Sequence, residues 1–170
     1  MFTSSISRSF CRHQCSARAI GIGLLVFMAG CEARVDTPEF SKDLVPISGV
    51  ITYQKKPLAG AAVTFFPTGQ NAVRAAYALT DDSGQYQLMT PISGVSAKNS
   101  LGAVPGSYRV MISHLAMPDG SPVPTELTTA DAIEKGATES LPARYSNEQQ
   151  SILKAEVQAN TPRSDLNFNL

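Results

Sequence analysis

The sequence predicts an all-β fold, a seven-stranded antiparallel β-sandwich with one long loop insertion. From Val45 onward, apolar and polar side chains alternate over short runs, as expected of strands that bury one face. Clusters of Gly, Pro, Asp and Ser separate these runs at about the spacing found in two-sheet folds. The pattern occupies residues 45–170, and the chain before it has a different character.

The first thirty residues predict a targeting segment. Residues 1–18 contain three arginines and no acidic residue, and residues 19–30 are an uninterrupted apolar run. A bilayer core needs about 20 apolar residues, whereas the apolar region of a signal peptide has about 7–15. We therefore expect residues 1–30 to be a signal peptide and not a membrane-spanning helix.

The end of this segment, Met28-Ala-Gly-Cys31, resembles the lipobox of bacterial lipoproteins, with Met28 where Leu is usual. The resemblance implies that Cys31 carries lipid on its thiol and becomes the mature N-terminus. Three acyl chains of palmitate type then hold the protein at a membrane, each buried methylene contributing about 0.8 kcal/mol. The expected location is the cell envelope, facing periplasm or exterior, and the choice of inner or outer membrane stays open. The alternative is an ordinary secretory signal with an incidental cysteine.

Cysteine and charge counts exclude several kinds of chemistry. Cys11 and Cys15 lie in the leader, so beyond Cys31 no cysteine remains for a disulfide, a thiolate nucleophile or a metal. The leader also holds three of the fourteen basic residues, which leaves eleven basic against fourteen acidic ones, a mild negative charge. Nucleic acid is therefore not an expected partner. The remaining 140 residues suit one domain.

The mature chain begins with a tether and two strands. Residues 31–44 are polar and charged, with few large apolar residues, and predict a flexible tether. Strand one is expected over Val45–Gln54 and strand two over Ala61–Phe66. Between them, Pro57 fixes φ and Gly60 is free to take a positive φ, which predicts a turn.

Three further strands follow, over Arg74–Thr80, Gln85–Met89 and Ser107–His114. Asp81-Asp-Ser-Gly84 predicts a turn whose aspartates bond nearby backbone amides. Tyrosines in these strands alternate like core residues, at positions 77, 86 and 108. Residues 91–102 read as a loop.

The segment from Leu115 to Leu141 breaks the rhythm and predicts the long insertion. Prolines and glycines come first, and a short helix is expected over Thr128–Lys135 with Thr128 or Thr129 as its cap. A connection of this length is usually functional or disordered. Strand six is expected over Ser151–Gln158 and strand seven over Arg163–Leu170, with Leu166, Phe168 and Leu170 inward.

Five motifs resemble carboxypeptidase regulatory-like domains, in the version found in small lipoproteins of planctomycete-type bacteria. They are Ser48-Gly-Val-Ile-Thr-Tyr53, Lys56-Pro-Leu-Ala-Gly-Ala-Ala-Val-Thr-Phe-Phe-Pro67, Thr80-Asp-Asp-Ser-Gly-Gln-Tyr86, Pro105-Gly-Ser-Tyr-Arg-Val-Met-Ile112 and Leu141-Pro-Ala-Arg-Tyr145. The resemblance covers residues 45–170 and implies a transthyretin-like or Ig-like sandwich. Since members of that family are generally non-catalytic, the resemblance also implies an accessory or binding module. The motifs themselves are mostly turn and packing residues, which indicate a fold better than an activity.

The site chemistry points the same way. His114 is the one histidine of the mature chain, so the two-histidine sets of iron and zinc sites are missing and no metal or cofactor is expected. The histidines and C-terminal signature of hydroxyisourate hydrolases are missing as well. We therefore predict that the protein is not an enzyme and has no catalytic residue. Cys31 is the predicted lipidation site, and the sequence assigns no residue to ligand binding.

Two functional alternatives stay open beside a membrane-anchored module for a protein or glycan partner. A carbohydrate-binding module needs exposed aromatic rings, for which Tyr145 is the loop candidate. A hydrolase would use His114 with a serine and an acid brought together by folding.

Two structural alternatives are weaker. Asp81, Asp82 and Asp119 could bind calcium, or they could simply form turns. A Lys–Asn crosslink would join one of Lys42, Lys55 and Lys56 to Asn167 or Asn169.

Overall fold

The computed structural model describes residues 38–69, 74–124 and 126–170. Within them the chain forms ten strands, two short α-helices, and 3-10 helices over Glu39–Asp43 and Ala97–Ser100. The strands are β1 Ser48–Tyr53, β2 Lys56–Pro57, β3 Ala62–Pro67, β4 Ala76–Leu79, β5 Gln85–Gln87, β6 Gly106–Ser113, β7 Leu115–Ala116, β8 Thr138–Glu139, β9 Leu153–Val157 and β10 Phe168–Asn169. The helices are α1 Thr129–Glu134 and α2 Ala143–Ser146.

The strands form two four-stranded sheets and a two-stranded ribbon. The first sheet has the order β10-β1-β2 with β5 also paired to β1, the second has the order β4-β3-β6-β9, and the ribbon is β7-β8. Nearly all pairs are antiparallel, so the predicted all-β class is confirmed. One pair departs from the prediction, because β10 runs parallel to β1. A hairpin would force β10 to run antiparallel to its neighbour, but the chain reaches β10 from β9, which lies in the other sheet, so no hairpin joins β10 to β1.

Each of the seven expected strands overlaps one observed strand. The three that the sequence did not indicate are β2, β7 and β8, which are two residues long and therefore too short to show an alternation. The expected strand over residues 163–170 is regular only at Phe168 and Asn169. Its inward side chains are as expected: Phe168 is buried, and Leu166 and Leu170 pack partly buried against the core.

The two sheets share one hydrophobic core. Phe65 of β3 is fully buried, and its ring centroid lies 5.7 Å from that of Tyr108 on β6 and 6.3 Å from that of Phe168 in the other sheet. Aliphatic side chains from both sheets surround these rings, each stabilising the fold by about 1.5–3 kcal/mol when fully buried. They include Ile47, Ile51, Val63, Leu88, Val110, Ile112 and Val157.

The predicted turn at Asp81-Asp-Ser-Gly84 is confirmed. Asp81 accepts hydrogen bonds from the amide and the hydroxyl of Ser83, at 2.9 and 2.7 Å, and from the amide of Gln85 at 2.9 Å. Gly84 has φ +73°, and a Cβ there would lie 2.6 Å from the carbonyl oxygen of Ile51. Glycine is therefore needed at this position both for its backbone angle and for its size.

The end of the predicted tether is structured. Residues 38–43 were expected to be flexible, but Glu39–Asp43 form a 3-10 helix. The guanidinium carbon of Arg74 lies 5.4 Å from the ring centroid of Phe40 in this helix, a cation–π contact that ties it to the chain before β4. The rest of the predicted tether, the predicted signal peptide and Cys31 lie outside the described residues. None of the described helices is both long and apolar enough to cross a membrane.

Candidate functional site

The insertion folds back on itself and makes a groove with the second sheet. It leaves β6 at His114, pairs as the ribbon β7-β8, and carries α1 between the two ribbon strands. The groove has a volume of about 410 Å³. Among the residues that the structure describes, its lining contains no Asp, Glu, Lys or Arg and consists of Gly60, Ala62, Leu79, Ser113, His114, Leu115, Pro122, Val123, Pro124, Leu127 and Thr129.

Short-range hydrogen bonds give the insertion its shape. Thr128 caps α1 through a capping box, in which its side chain accepts from the amide of Asp131 and the Asp131 carboxylate accepts from the amide of Thr128. The expected helix and its cap are thereby confirmed. Asp119 closes the preceding turn by accepting from the amide and the hydroxyl of Ser121, at 2.9 and 2.6 Å. The hydrogen bond from the Ser121 hydroxyl, and then that from its amide, lower the pKa of Asp119.

β4 carries two exposed apolar side chains, and one of them forms part of the groove wall. Leu79 is 68% exposed and lines the groove, and Tyr77, on the same face of β4, is 43% exposed. The prediction that Tyr77 belongs to the core is therefore wrong. Ala76 points inward in its place, because it pairs directly with Phe65, whose ring already fills the core at that level. Only a small side chain fits beside it.

Tyr86 and Tyr108 are core residues, as expected. The hydroxyl of Tyr108 donates to the carbonyl oxygen of Val104 at 2.6 Å. Burial raises the pKa of Tyr108 to about 12 and raises that of Tyr86 as well. Both rings therefore serve packing and are closed to a ligand.

Tyr145, expected to be the loop aromatic available to a sugar, is buried in α2. The helix packs against β6, and the guanidinium carbon of Arg144 lies 4.9 Å from the Tyr145 ring centroid. The segment from Leu141 to Tyr145 thus packs back on the sheet, which removes its aromatic ring from solvent.

His114 does meet a serine, although not in catalytic geometry. Its Nδ1 lies 2.7 Å from the Oγ of Ser140, and the same Oγ donates to the His114 carbonyl oxygen at 2.8 Å. A hydroxyl has one proton, so when both bonds form the imidazole is the donor and the serine oxygen is the acceptor. A nucleophilic serine requires the opposite direction of transfer.

The neighbouring acid is also otherwise engaged. Glu139 accepts from the backbone amides of His114 and Leu141, at 3.0 and 2.9 Å, and from the Ser113 hydroxyl at 2.6 Å. It therefore holds the start of the insertion in place and does not orient the imidazole. The sequence could not indicate Ser140, because its approach to His114 depends on the return of the chain 26 residues later.

The two asparagines considered for a crosslink bond to other groups. Asn167 Oδ1 accepts from the Val50 amide at 2.8 Å, and Asn169 Oδ1 accepts from the Thr52 hydroxyl at 2.7 Å, while Lys42, Lys55 and Lys56 are exposed. In the part of the chain that the structure describes, no three His, Cys, Asp or Glu side chains are grouped as metal ligands.

No family model, curated protein or solved structure matches this chain.

Proposed function

We propose that this chain is a lipid-anchored protein of the cell envelope whose β-domain is a non-catalytic binding module. In this proposal Cys31 holds the protein at the membrane, and the groove beside Leu79 takes an apolar segment of a protein partner. The domain is a transthyretin-like sandwich of the carboxypeptidase regulatory-like kind. Support for the sandwich comes from the shared core, in which Phe65 of one sheet contacts Phe168 of the other.

The observation that carries the proposal is the exposed Leu79 at the wall of an uncharged groove. A large apolar side chain that is 68% exposed has most of its hydrophobic surface still to bury, and full burial contributes about 1.5–3 kcal/mol. The facing wall is apolar too, with Leu115, Val123 and Leu127. A concave surface of this volume with few polar groups is typical of a binding site for an apolar group.

The hydrogen bonds around His114 do not run in the direction that a nucleophilic serine needs, which supports a binding role. The Ser140 hydroxyl donates to a backbone carbonyl, and the Glu139 carboxylate is held by backbone amides. These bonds hold the start and the end of the insertion together, so the groove can keep its shape without a ligand. A preformed site loses less entropy on binding than one that must order itself.

Site-specific photocrosslinking in cells tests this proposal. A photoreactive amino acid at position 79 is expected to capture one defined protein, which mass spectrometry identifies. The matched control is position 152, because Ile152 is similarly exposed at 64% but does not line the groove. The same adduct at both positions, or none at position 79, would contradict binding in the groove.

The identified partner then allows a quantitative test with purified proteins. We expect Leu79→Asp to weaken binding at least tenfold, because a carboxylate in an apolar contact loses its hydration. Ile152→Asp should bind like the unchanged protein. Equal affinity of both variants would show that the adduct formed by proximity alone.

A glycan is the second candidate ligand, and Tyr77 is the observation in its favour. Its ring is 43% exposed on the same face of β4 as Leu79, where it is available to stack on a sugar. The scarcity of hydrogen-bonding side chains in the groove argues against it, since sugars are recognised largely by such groups. Binding on a glycan array that Tyr77→Ala abolishes would favour the glycan over the protein partner.

A further inference from the structure

The second sheet has one closed edge and one open edge. At β4, the amide and the carbonyl of Tyr77 bond to the carbonyl and the amide of Met89, both at 2.8 Å, so this edge is covered. At the other end of the sheet, β9 pairs with β6 on one side only. No backbone hydrogen bond joins the outer side of residues 153–157 to any other described residue. An open strand edge is a template for another strand.

The backbone groups at this edge belong to Lys154 and Glu156. The amide of Leu153 donates to the Oγ of Ser151 at 3.2 Å, and that Oγ donates to the carbonyl oxygen of Val110 on β6. Leu153 therefore turns its backbone groups toward β6. Because these groups alternate along a strand, the amides and carbonyls of Lys154 and Glu156 point to the open side.

We propose that two copies of this chain pair through β9, antiparallel and across a two-fold axis at Ala155. Lys154 of each copy then lies opposite Glu156 of the other, and each such pair exchanges two backbone hydrogen bonds. Ala155 meets its own counterpart on the core side. The β4-β3-β6-β9 sheets of the two copies then form one continuous sheet of eight strands.

The charges select this register over its neighbours. Opposed residues must point to the same face of the sheet, so a two-fold axis falls on a residue. An axis at Lys154 would oppose two lysines, and an axis at Glu156 would oppose two glutamates. Opposite charges facing each other across strands are favourable and like charges are unfavourable, so the axis at Ala155 is preferred.

Within the described residues of one copy, Lys154 has no salt-bridge partner. Lys154 pairs directly with Arg109 across β6 and β9, and neither forms a salt bridge within the described residues. Arg109 donates only a long hydrogen bond, 3.4 Å, to the carbonyl oxygen of Glu148. Glu156 is held by the Ser107 hydroxyl at 2.6 Å and points to the same face as Lys154. A second copy supplies the carboxylate that each Lys154 lacks.

This inference goes beyond the proposed function and concerns a different surface, since no residue of β9 lines the groove. The experiment is sedimentation of the purified mature chain with Cys31 replaced by serine, up to millimolar concentration. We expect a monomer–dimer equilibrium. Lys154→Glu and Glu156→Lys should each shift it to monomer, and the double exchange of the two charges should restore the dimer.

Mixing the two single variants tests the register most directly. Each variant alone opposes like charges across the two-fold axis. In the mixture, the glutamate introduced at position 154 of one chain faces the lysine introduced at position 156 of the other, so a heterodimer should form. Lys154→Glu faces Arg109 within its own sheet, so it keeps the fold, which circular dichroism checks.

Leu79→Asp is the control for the groove and should not change the equilibrium, because Leu79 lies on β4 at the opposite end of the sheet. A monomer at all concentrations, or a dimer that both charge reversals leave unchanged, would overturn the proposal.

Discussion

The hydroxyl of Tyr86 donates a hydrogen bond of 2.7 Å to the carbonyl oxygen of Leu166. The same oxygen would lie 2.1 Å from a Cβ on residue 49, which is glycine. The segment before β10 is thus held from two sides, by the Tyr86 hydroxyl and by the close approach that the missing side chain near the start of β1 allows. This arrangement brings Phe168 into the core and sets the register of β10 beside β1.

Tyr86→Phe should lower the free energy of unfolding by about 1–2 kcal/mol, because the carbonyl oxygen of Leu166 loses its partner in a partly buried place. Denaturant unfolding measures the change. Tyr77→Phe is the matched control, since Tyr77 is exposed and should change stability by less than about 0.5 kcal/mol. Equal effects of the two substitutions would deny the Tyr86 bond a role in stability.

Gly49→Ala should lower the free energy of unfolding by about 3 kcal/mol, at the upper end of the range for overpacking. The added carbon meets backbone atoms of Leu166, which cannot turn aside like a side chain. Gly69→Ala is the control, because a Cβ there comes no closer than 3.8 Å to its neighbours. A neutral Gly49→Ala would mean that the 165–167 segment does not lie against β1.

Acid unfolding should depend on Asp81. The bond from the Ser83 hydroxyl, followed by those from the amides of Gln85 and Ser83, lowers the pKa of Asp81 from its ordinary 3.8. A lowered pKa in the folded state stabilises above pH 3.8, and this stabilisation is lost as the pH falls through the folded-state pKa. Asp81→Asn should therefore be less stable than the unchanged protein near neutral pH, and the difference should shrink as the pH falls through the lowered pKa of Asp81.

Unfolding curves over a range of pH check this. Asp82→Asn is the control, because the hydrogen bonds that close the turn go to the carboxylate of Asp81 and not to that of Asp82. A deficit of Asp81→Asn that stayed constant from neutral to acid pH would show that the effect comes from shape and not from charge.

Ser140→Ala should leave the hydrolysis of nitrophenyl esters by the purified protein unchanged. The hydroxyl of Ser140 donates to the carbonyl oxygen of His114 and is not activated by the imidazole. Steady-state kinetics compares the two proteins, and mass spectrometry after incubation with the ester detects any acyl intermediate. A loss of rate in the variant, or an acyl group found on Ser140, would restore the hydrolase as a function for this chain.

The strands could be read from the sequence because most of them bury one face. The alternation Tyr108, Val110, Ile112 is visible on paper, and all three side chains are fully buried. The turn glycine Gly84 and the cap Thr128 were equally readable, because local geometry decides both. Three two-residue strands could not be predicted, since a strand that short has no period.

The site was harder, because it depends on partners distant along the chain. Alternation in β4 gives two faces but does not say which face is buried. Phe65 pairs with Ala76 on the neighbouring strand, and its ring leaves room for the small side chain of Ala76 and not for that of Tyr77. Ser140 reaches His114 only after the insertion has returned. Tyr145 is expected to be an aromatic residue of a loop, whereas contacts of α2 with β6 bury it.

The proposed lipidation of Cys31 would hold this chain in the cell envelope, and mass spectrometry of the mature N-terminus tests it most directly. The protein is expressed in a bacterium, isolated from membranes and digested. We predict an N-terminal peptide that begins at Cys31 and carries the mass of three acyl chains, and a Cys31→Ala variant that leaves the membrane fraction or stays unprocessed. A peptide with an unmodified Cys31, or one that reads through from residue 30, would contradict the lipid anchor.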